Sequence, residues 1–288
     1  MTTVLISGLG LIGSSIARIM KKSDVQPTIL GDDPNDDTGQ FLLGQGIIDE
    51  RVTLLKAASR ADIIVLAGPV SVIIKQLAQL TTVELKQNVL VTDVGSTKMQ
   101  VMATAKRLQK RQIAFMGGHP MAGSHKTGGR AGREDLFDHA TYFIVDGSQT
   151  PAQTAQFKAC LKPAQLRWVN VSAEAHDGLV SEISHVPHVL AANLVNTADH
   201  QLKHDAVGLS AAAGGFKSAT RIAGADPTMW TAIMLSNSEA ISDQLTTYMA
   251  QLKEIQSAIE AHDADKIYQF FEHAKTVRER LDQEGETQ

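Results

Sequence analysis

A single cysteine, Cys160, stands in 288 residues, so no intrachain disulfide can form. That fits a reducing compartment, and the chain is expected in the cytoplasm. Cys160 falls in a helix-like stretch, Ala152 to Leu161, and reads as a packing residue. Long apolar runs are also lacking: none approaches the ~20 residues that cross a bilayer. The sequence runs straight into an apolar strand without a basic region or cleavage site, so no secretory signal is expected. Nor is there an excess of basic charge. The net charge is −4, so no general field draws the chain to nucleic acid or to a membrane surface. What is present, 43% hydrophobic and 20% charged residues, suits folded globular domains, and the length allows two of them.

The first fifteen residues organise the rest. Val4 to Ile6 is an apolar run that reads as a buried strand. Gly8, Gly10 and Gly13 then form G-x-G-x-x-G, and a helical apolar pattern follows (Ile16, Ala17, Ile19, Met20). In this strand–turn–helix setting the motif has a mechanism. Gly8 permits the tight turn, Gly10 lets the backbone approach a diphosphate, and Gly13 lets the helix pack on the strand. Free N–H groups at the helix start, at Leu11 and Ile12, then face the anion. Asp32 ends the next strand, about 20 residues on, where a carboxylate accepts hydrogen bonds from an adenine ribose. The run from Asp32 to Asp37 holds no basic residue. A 2′-phosphate would meet carboxylates there, which favours NAD over NADP. The competing reading is a glycine-rich turn in an α/β protein that binds no nucleotide.

Strands and helices alternate as far as about residue 170. Strands are expected at Pro27–Gly31, Ala61–Ala67, Asn88–Asp93, Ile113–Met116, Thr141–Val145 and Leu166–Val169, with helices near Gln40–Gly44, Val70–Leu80, Lys98–Lys110 and Ala152–Leu161. This predicts a mostly parallel, doubly wound sheet, a Rossmann-type dinucleotide-binding domain over 1–170. A polar, glycine-rich loop is expected from Gly117 to Gly132. Gly68-Pro69, Val94-Gly95-Ser96 and Gly118-His119 all follow strand ends. They should converge with the glycine motif on one crevice, with Gly68 and Gly95 beside the cofactor. From Val171 no strand pattern remains, and 171–288 reads as an all-helical domain. Its breaks fall near Pro187, Gly214-Gly215 and Gly224-Ala225-Asp226-Pro227, and Met229 to Ile259 reads as one long helix. Domains of this kind associate through their helix faces, so a homodimer is expected.

Four stretches carry chemistry. In Thr92-Asp93-Val94-Gly95-Ser96-Thr97-Lys98, Ser96 could cap a helix, but its turn should face the nicotinamide side of the crevice. In Gly117-Gly118-His119-Pro120-Met121-Ala122-Gly123-Ser124, glycines and a proline fix the backbone around His119. Long ordered loops in compact domains are usually functional, and oxidation of an alcohol needs an acceptor for the hydroxyl proton, which His supplies. His176-Asp177 and Glu182-Ile183-Ser184-His185-Val186-Pro187-His188 form a third group. His185 and His188 share a helix face. Their spacing is not that of a zincin and a third ligand is lacking, so no metal site is expected. They either pack or line a substrate site. In the fourth, Gly214 through Trp230, Arg221 is a natural bidentate partner for a substrate carboxylate. Its alternative partner is an internal acid such as Asp226, and Trp230 reads as core.

Taken in order along nearly the whole chain, these motifs resemble the prephenate/arogenate dehydrogenase family of tyrosine biosynthesis. The match rests on Gly8 to Ser15, Asp93 to Lys98, Gly118 to Ser124, Ser184 to His188 and Gly215 through Trp230. The resemblance implies an NAD-binding domain, an all-helical dimerisation domain, and oxidative decarboxylation of prephenate to 4-hydroxyphenylpyruvate. It implies that His119 hydrogen-bonds the ring hydroxyl and assists its deprotonation, and that Ser96 orients His119 and the hydroxyl. Arg221 would bind a substrate carboxylate, His185 and His188 would line the site, and Asp32 would take the ribose. No metal is required. One departure is His125, where some members carry Glu. After Leu281 the chain is too short for the regulatory ACT domain of some members, so any tyrosine inhibition is expected at the active site. Three other readings compete. Arogenate would undergo the same chemistry. A β-hydroxyacid dehydrogenase would place a lysine where this chain has His185-Val186-Pro187-His188. A non-catalytic NAD(H) sensor would have no need of Ser96, His119 and Arg221 together.

Overall fold

The computed structural model describes residues 1–123 and 126–286. Ser124 and His125, and with them the departure noted at His125, lie outside the described residues. The chain begins with β1 (Thr3–Ser7), α1 (Leu11–Lys22), β2 (Thr28–Asp32), α2 (Asp36–Gly44), β3 (Glu50–Arg51) and the short α3 (Leu54–Ala57). It continues with β4 (Ile63–Leu66), α4 (Val70–Leu80), β5 (Leu90–Asp93), α5 (Met99–Gln109), β6 (Ala114–Pro120), β7 (Thr141–Val145), α6 (Pro151–Cys160) and β8 (Arg167–Val171). The strands form one sheet in the order β3-β2-β1-β4-β5-β6-β7-β8. Among the described residues only the β6–β7 pair is antiparallel. The order 3-2-1-4-5-6 is that of a doubly wound nucleotide-binding sheet, reversing direction between β1 and β4.

Side-chain alternation along β1 builds both faces. Val4 and Ile6 join one apolar cluster with Ile16, Ile19 and Met20 of α1 and Phe157 and Cys160 of α6. Leu5 points the other way, into a cluster with Ile73, Leu77 and Leu80 of α4 and Val101, Ala105 and Leu108 of α5. Helices thus cover both faces, and Cys160 is buried packing whose thiol burial pushes up to about 11.

His119 lies in a strand, not a loop: β6 runs on through Gly117-Gly118-His119-Pro120, because these residues pair with β7, His119 opposite Phe143. The expected helix from Met229 to Ile259 is broken at Asn237, into α10 (Pro227–Ser236) and α11 (Ser238–Glu260).

No strand follows β8 among the described residues. α7 (Ala173–Val180) runs into a π turn (Ser181–His185) and then α8 (Val186–Leu202). Pro187 therefore does not interrupt the helix. It sits in the first turn of α8, where its missing N–H costs nothing, and the wide turn before it closes through Val186 N–H to the Ser181 carbonyl. α9 (Gly214–Ala219), a 3₁₀ turn at Arg221–Gly224 and α10 follow, with α12 (Ala264–Glu286) last. By packing, the chain divides into two compact units, Met1–Ser238 and Glu239–Gln288.

Candidate active site

The glycine motif has the geometry its spacing predicts. Gly8 adopts φ +95°, and a Cβ there would lie 2.7 Å from the Ala67 carbonyl carbon. A Cβ on Gly13 would lie 1.9 Å from the Gly8 oxygen. These two glycines hold the fold. A Cβ on Gly10 would meet nothing within 4 Å, so the open space above the loop is there. α1 has no side-chain cap and no acidic residue in its first turn. The N–H groups of Leu11, Ile12 and Gly13 are thus left for an anion. Gly68 follows β4, next to the backbone against which Gly8 packs, and Gly95 donates its N–H to Asp93 Oδ2 at 2.8 Å. The residues present fit a dinucleotide.

The two acids ending β2 divide their work. Asp32 is half-buried and accepts from Ser7 Oγ at 2.6 Å, with Gln76 Nε2 donating to the same hydroxyl at 2.7 Å. Burial raises its pKa. Asp33 instead turns to the glycine loop and accepts from Leu9 N–H at 2.7 Å. Asp33 is thus the carboxylate beside the nucleotide loop. Sequence alone could not separate two adjacent acids whose side chains leave a strand end on opposite sides.

Asp93 ties the next two strand ends together. It is fully buried and pairs with the fully buried Lys98 at 2.5 Å. Its other oxygen accepts from Gly118 N–H at 3.2 Å. A Cβ on Gly118 would lie 2.5 Å from both the Asp93 carbonyl oxygen and the Tyr142 hydroxyl. Only glycine lets β6 come this close to β5, and the residue it places is His119.

His119 is partly exposed, and its Nδ1 lies 2.9 Å from Nε2 of His176. His176 is fully buried, and its Nδ1 lies 2.7 Å from Asp177 Oδ1. Asp177 in turn caps α5, accepting from the N–H groups of Lys98 at 2.7 Å and Met99 at 2.9 Å. Ser96 was expected to orient His119. Among the described residues no side-chain hydrogen bond of Ser96 is found, either to His119 or as a helix cap, and His176 occupies the orienting position. Burial, reinforced by the charges of His176, Lys98 and His185, holds His119 well below the ordinary imidazole range. At neutral pH it is an unprotonated base.

Beyond Asp177, Asn237 breaks the helix between α10 and α11 and turns its amide inward. Nδ2 donates to the Asp177 carbonyl at 2.8 Å and to Nδ1 of His185 at 3.2 Å. His185 is buried, and burial lowers its pKa to about 4, so it too is neutral. His188 bonds through Nδ1 to the Ser184 carbonyl at 2.9 Å and stacks on Trp230, centroids 3.7 Å apart. Trp230, read as core, is a partly exposed wall of this group, with its indole nitrogen buried and unpartnered among the described residues. Arg221 is exposed and close enough for its charge to act on His188. Asp226 does not hold it: that carboxylate caps α10 through Met229 N–H. Among the described residues Arg221 has no hydrogen bond or ion pair. Among those residues, too, no cluster of three His, Cys, Asp or Glu is arranged to hold a metal ion.

A dinucleotide crevice, a neutral histidine at the end of a neighbouring strand and an uncommitted arginine define a nucleotide-dependent dehydrogenase. The comparisons give the particular family. The family model "Prephenate dehydrogenase, nucleotide-binding domain" matches residues 16–169, and "Prephenate dehydrogenase, dimerization domain" matches residues 172–274. A prephenate dehydrogenase of Lactococcus lactis subsp. cremoris is 40% identical, over 98% of this chain and 78% of its own. The crystal structure of prephenate dehydrogenase from A. aeolicus in complex with hydroxyphenyl propionate and NAD+ superposes with a TM-score of 0.90 at 27% identity, covering 98% of each chain. Synechocystis arogenate dehydrogenase superposes with a TM-score of 0.83 at 25% identity, over 97% of this chain and 100% of the other. The chain belongs to the prephenate dehydrogenase family.

Proposed function

We propose that the protein catalyses NAD-dependent oxidative decarboxylation of prephenate to 4-hydroxyphenylpyruvate, in tyrosine biosynthesis in the cytoplasm. The single observation that carries this reading is His119, a neutral imidazole fixed at the end of β6 beside the nucleotide crevice. Bound NAD supplies the hydride acceptor. His119 takes the proton of the ring hydroxyl as the carbinol carbon loses hydride. The resulting ketone draws the electrons of the breaking C–CO2 bond through the ring, and aromatisation drives the loss. Ser96, with its hydroxyl uncommitted, meets the same oxygen. Arg221 holds one substrate carboxylate, and His185 and His188, with Trp230, wall the ring. Asp33, which meets the glycine loop at Leu9 N–H, takes the adenine ribose in place of the expected Asp32, whose carboxylate is engaged by Ser7. Residues 1–170 serve as the cofactor domain and 171–288 as the substrate and dimerisation domain.

The assay is NADH formation on mixing with prephenate and NAD, with equimolar CO2 and 4-hydroxyphenylpyruvate. No NADH with either NAD or NADP removes the proposal. Arogenate, with an amino group in place of the keto group, is the second reading, favoured by the likeness to the Synechocystis enzyme. Rates with the two substrates side by side decide between them. Dimerisation through the helical region is supported by exposed apolar residues on α11 and α12, including Met249, Leu252, Ile259, Tyr268 and Phe271. Light scattering that finds only a monomer would contradict it.

A further inference from the structure

We infer that His176 and Asp177 are positioning residues that fix the tautomer of His119, leaving its Nε2 lone pair bare for the substrate hydroxyl. The inference rests on the reading of His119 as proton acceptor.

The argument follows the protons. The Asp177 carboxylate can only accept, and it already receives two backbone N–H groups from the start of α5. The nitrogen of His176 that faces it, Nδ1 at 2.7 Å, must therefore carry hydrogen. His176 is fully buried, and burial holds its pKa below the ordinary value, so the ring is neutral at pH 7. A neutral ring with Nδ1–H has a bare Nε2. That atom faces His119 Nδ1 at 2.9 Å, so His119 donates there. His119 is neutral too, which leaves Nε2 as its one basic nitrogen. When Nε2 takes the substrate proton, the imidazolium keeps Nδ1–H on His176, and the Asp177 charge lies one ring away. No second proton transfer is needed. Without His176, Nδ1 of His119 loses this acceptor and the ring is free to carry its proton on Nε2, a form that cannot act as base.

Asp177 links this to the fold. Its carboxylate is held in place by α5, and Asn237 ties its carbonyl to His185. The nitrogen that takes the proton is thus set by the carboxylate that caps α5.

The test is the ¹⁵N spectrum of histidine-labelled protein with NAD bound, with His119 assigned by its loss in His119→Asn. The expected result is His119 protonated at Nδ1 and bare at Nε2. His176→Phe should shift His119 towards the Nε2–H form. In that variant kcat with prephenate should fall about a hundredfold, within the range for losing a general base. KM and the Kd for NAD should stay within about threefold. His176→Gln, whose carbonyl can accept from Nδ1, should recover part of kcat. Wild-type His119 protonated at Nε2 overturns the inference alone, leaving the base in place. So does His176→Phe with wild-type kcat or an unchanged tautomer. If His176→Phe does not fold, the wild-type spectrum and the Gln variant decide. Full turnover by His119→Asn overturns the base itself, and this inference with it.

Discussion

Gly10 and Gly13 sit three residues apart in one motif, yet the structure assigns them opposite kinds of damage on substitution. A Cβ on Gly13 would lie 1.9 Å from the Gly8 oxygen, a backbone atom that cannot swing away. Gly13→Ala must push α1 off β1, and overpacking of this kind costs about 1–3 kcal/mol or more. Gly10 has φ −65° and ψ −163°, an extended conformation open to alanine, and its Cβ meets nothing within 4 Å. Removing a glycine from such a position loses little in the folded state and reduces unfolded-chain entropy, so the apoprotein should stay within about 1 kcal/mol of wild type. The added methyl fills the space the diphosphate must approach. Losing one charged hydrogen bond, about 1.5–3 kcal/mol, weakens NAD by roughly 10- to 150-fold. The assay is paired: thermal melting without NAD, then titration of NAD by quenching of tryptophan fluorescence. Gly10→Ala should melt with wild type and bind NAD poorly, whereas Gly13→Ala should melt early. Wild-type NAD affinity in Gly10→Ala would refute the placement of the diphosphate. So would a loss of apoprotein stability equal to that of Gly13→Ala.

Three further outcomes are expected. Because burial holds His119 below the usual imidazole range, kcat/KM should keep its plateau below pH 6.5 and fall only at more acid pH; a limb at or above pH 7 would contradict this. His185 titrates at about 4 when folded and near 6.5 when unfolded. The unfolded chain therefore binds more protons between these values, and stability present above pH 6.5 is lost as pH falls towards 4. The loss should be about 2–3 kcal/mol for this group, read from denaturant melts at pH 7 and 4.5 and reduced in His185→Gln. Arg221→Ala should raise KM for prephenate roughly 10- to 100-fold through loss of a charged hydrogen-bonded pair and leave NAD affinity unchanged; a normal KM would move the carboxylate elsewhere.

The nucleotide half of the molecule was legible because its signals are local. G-x-G-x-x-G after an apolar run, and strands spaced by helices, are written in consecutive residues, and the sheet follows them. Where long-range pairing decides, the sequence was silent. Gly117-Gly118-His119-Pro120 has the composition of a loop and becomes strand only because β7 lies antiparallel to it. Met229 to Ile259 has an unbroken apolar stripe, yet Asn237 leaves the helix because its amide has two partners, from Asp177 and His185, more than fifty residues away. His176 and Asp177 stood side by side in the sequence, in the group that includes His185 and His188. Their link to His119 required α7 to be laid beside β6, which no spacing reveals. Asp32 and Asp33 could be told apart only by which of them meets Leu9 N–H.

The central claim is that His119 is the proton acceptor in a dehydrogenation of prephenate. His119→Asn, assayed for NADH release with saturating prephenate and NAD, measures it most directly. The account predicts that kcat falls by about 10²–10⁴-fold, as when a general base is removed, while the Kd for NAD is unchanged. Near-normal turnover by His119→Asn would contradict it.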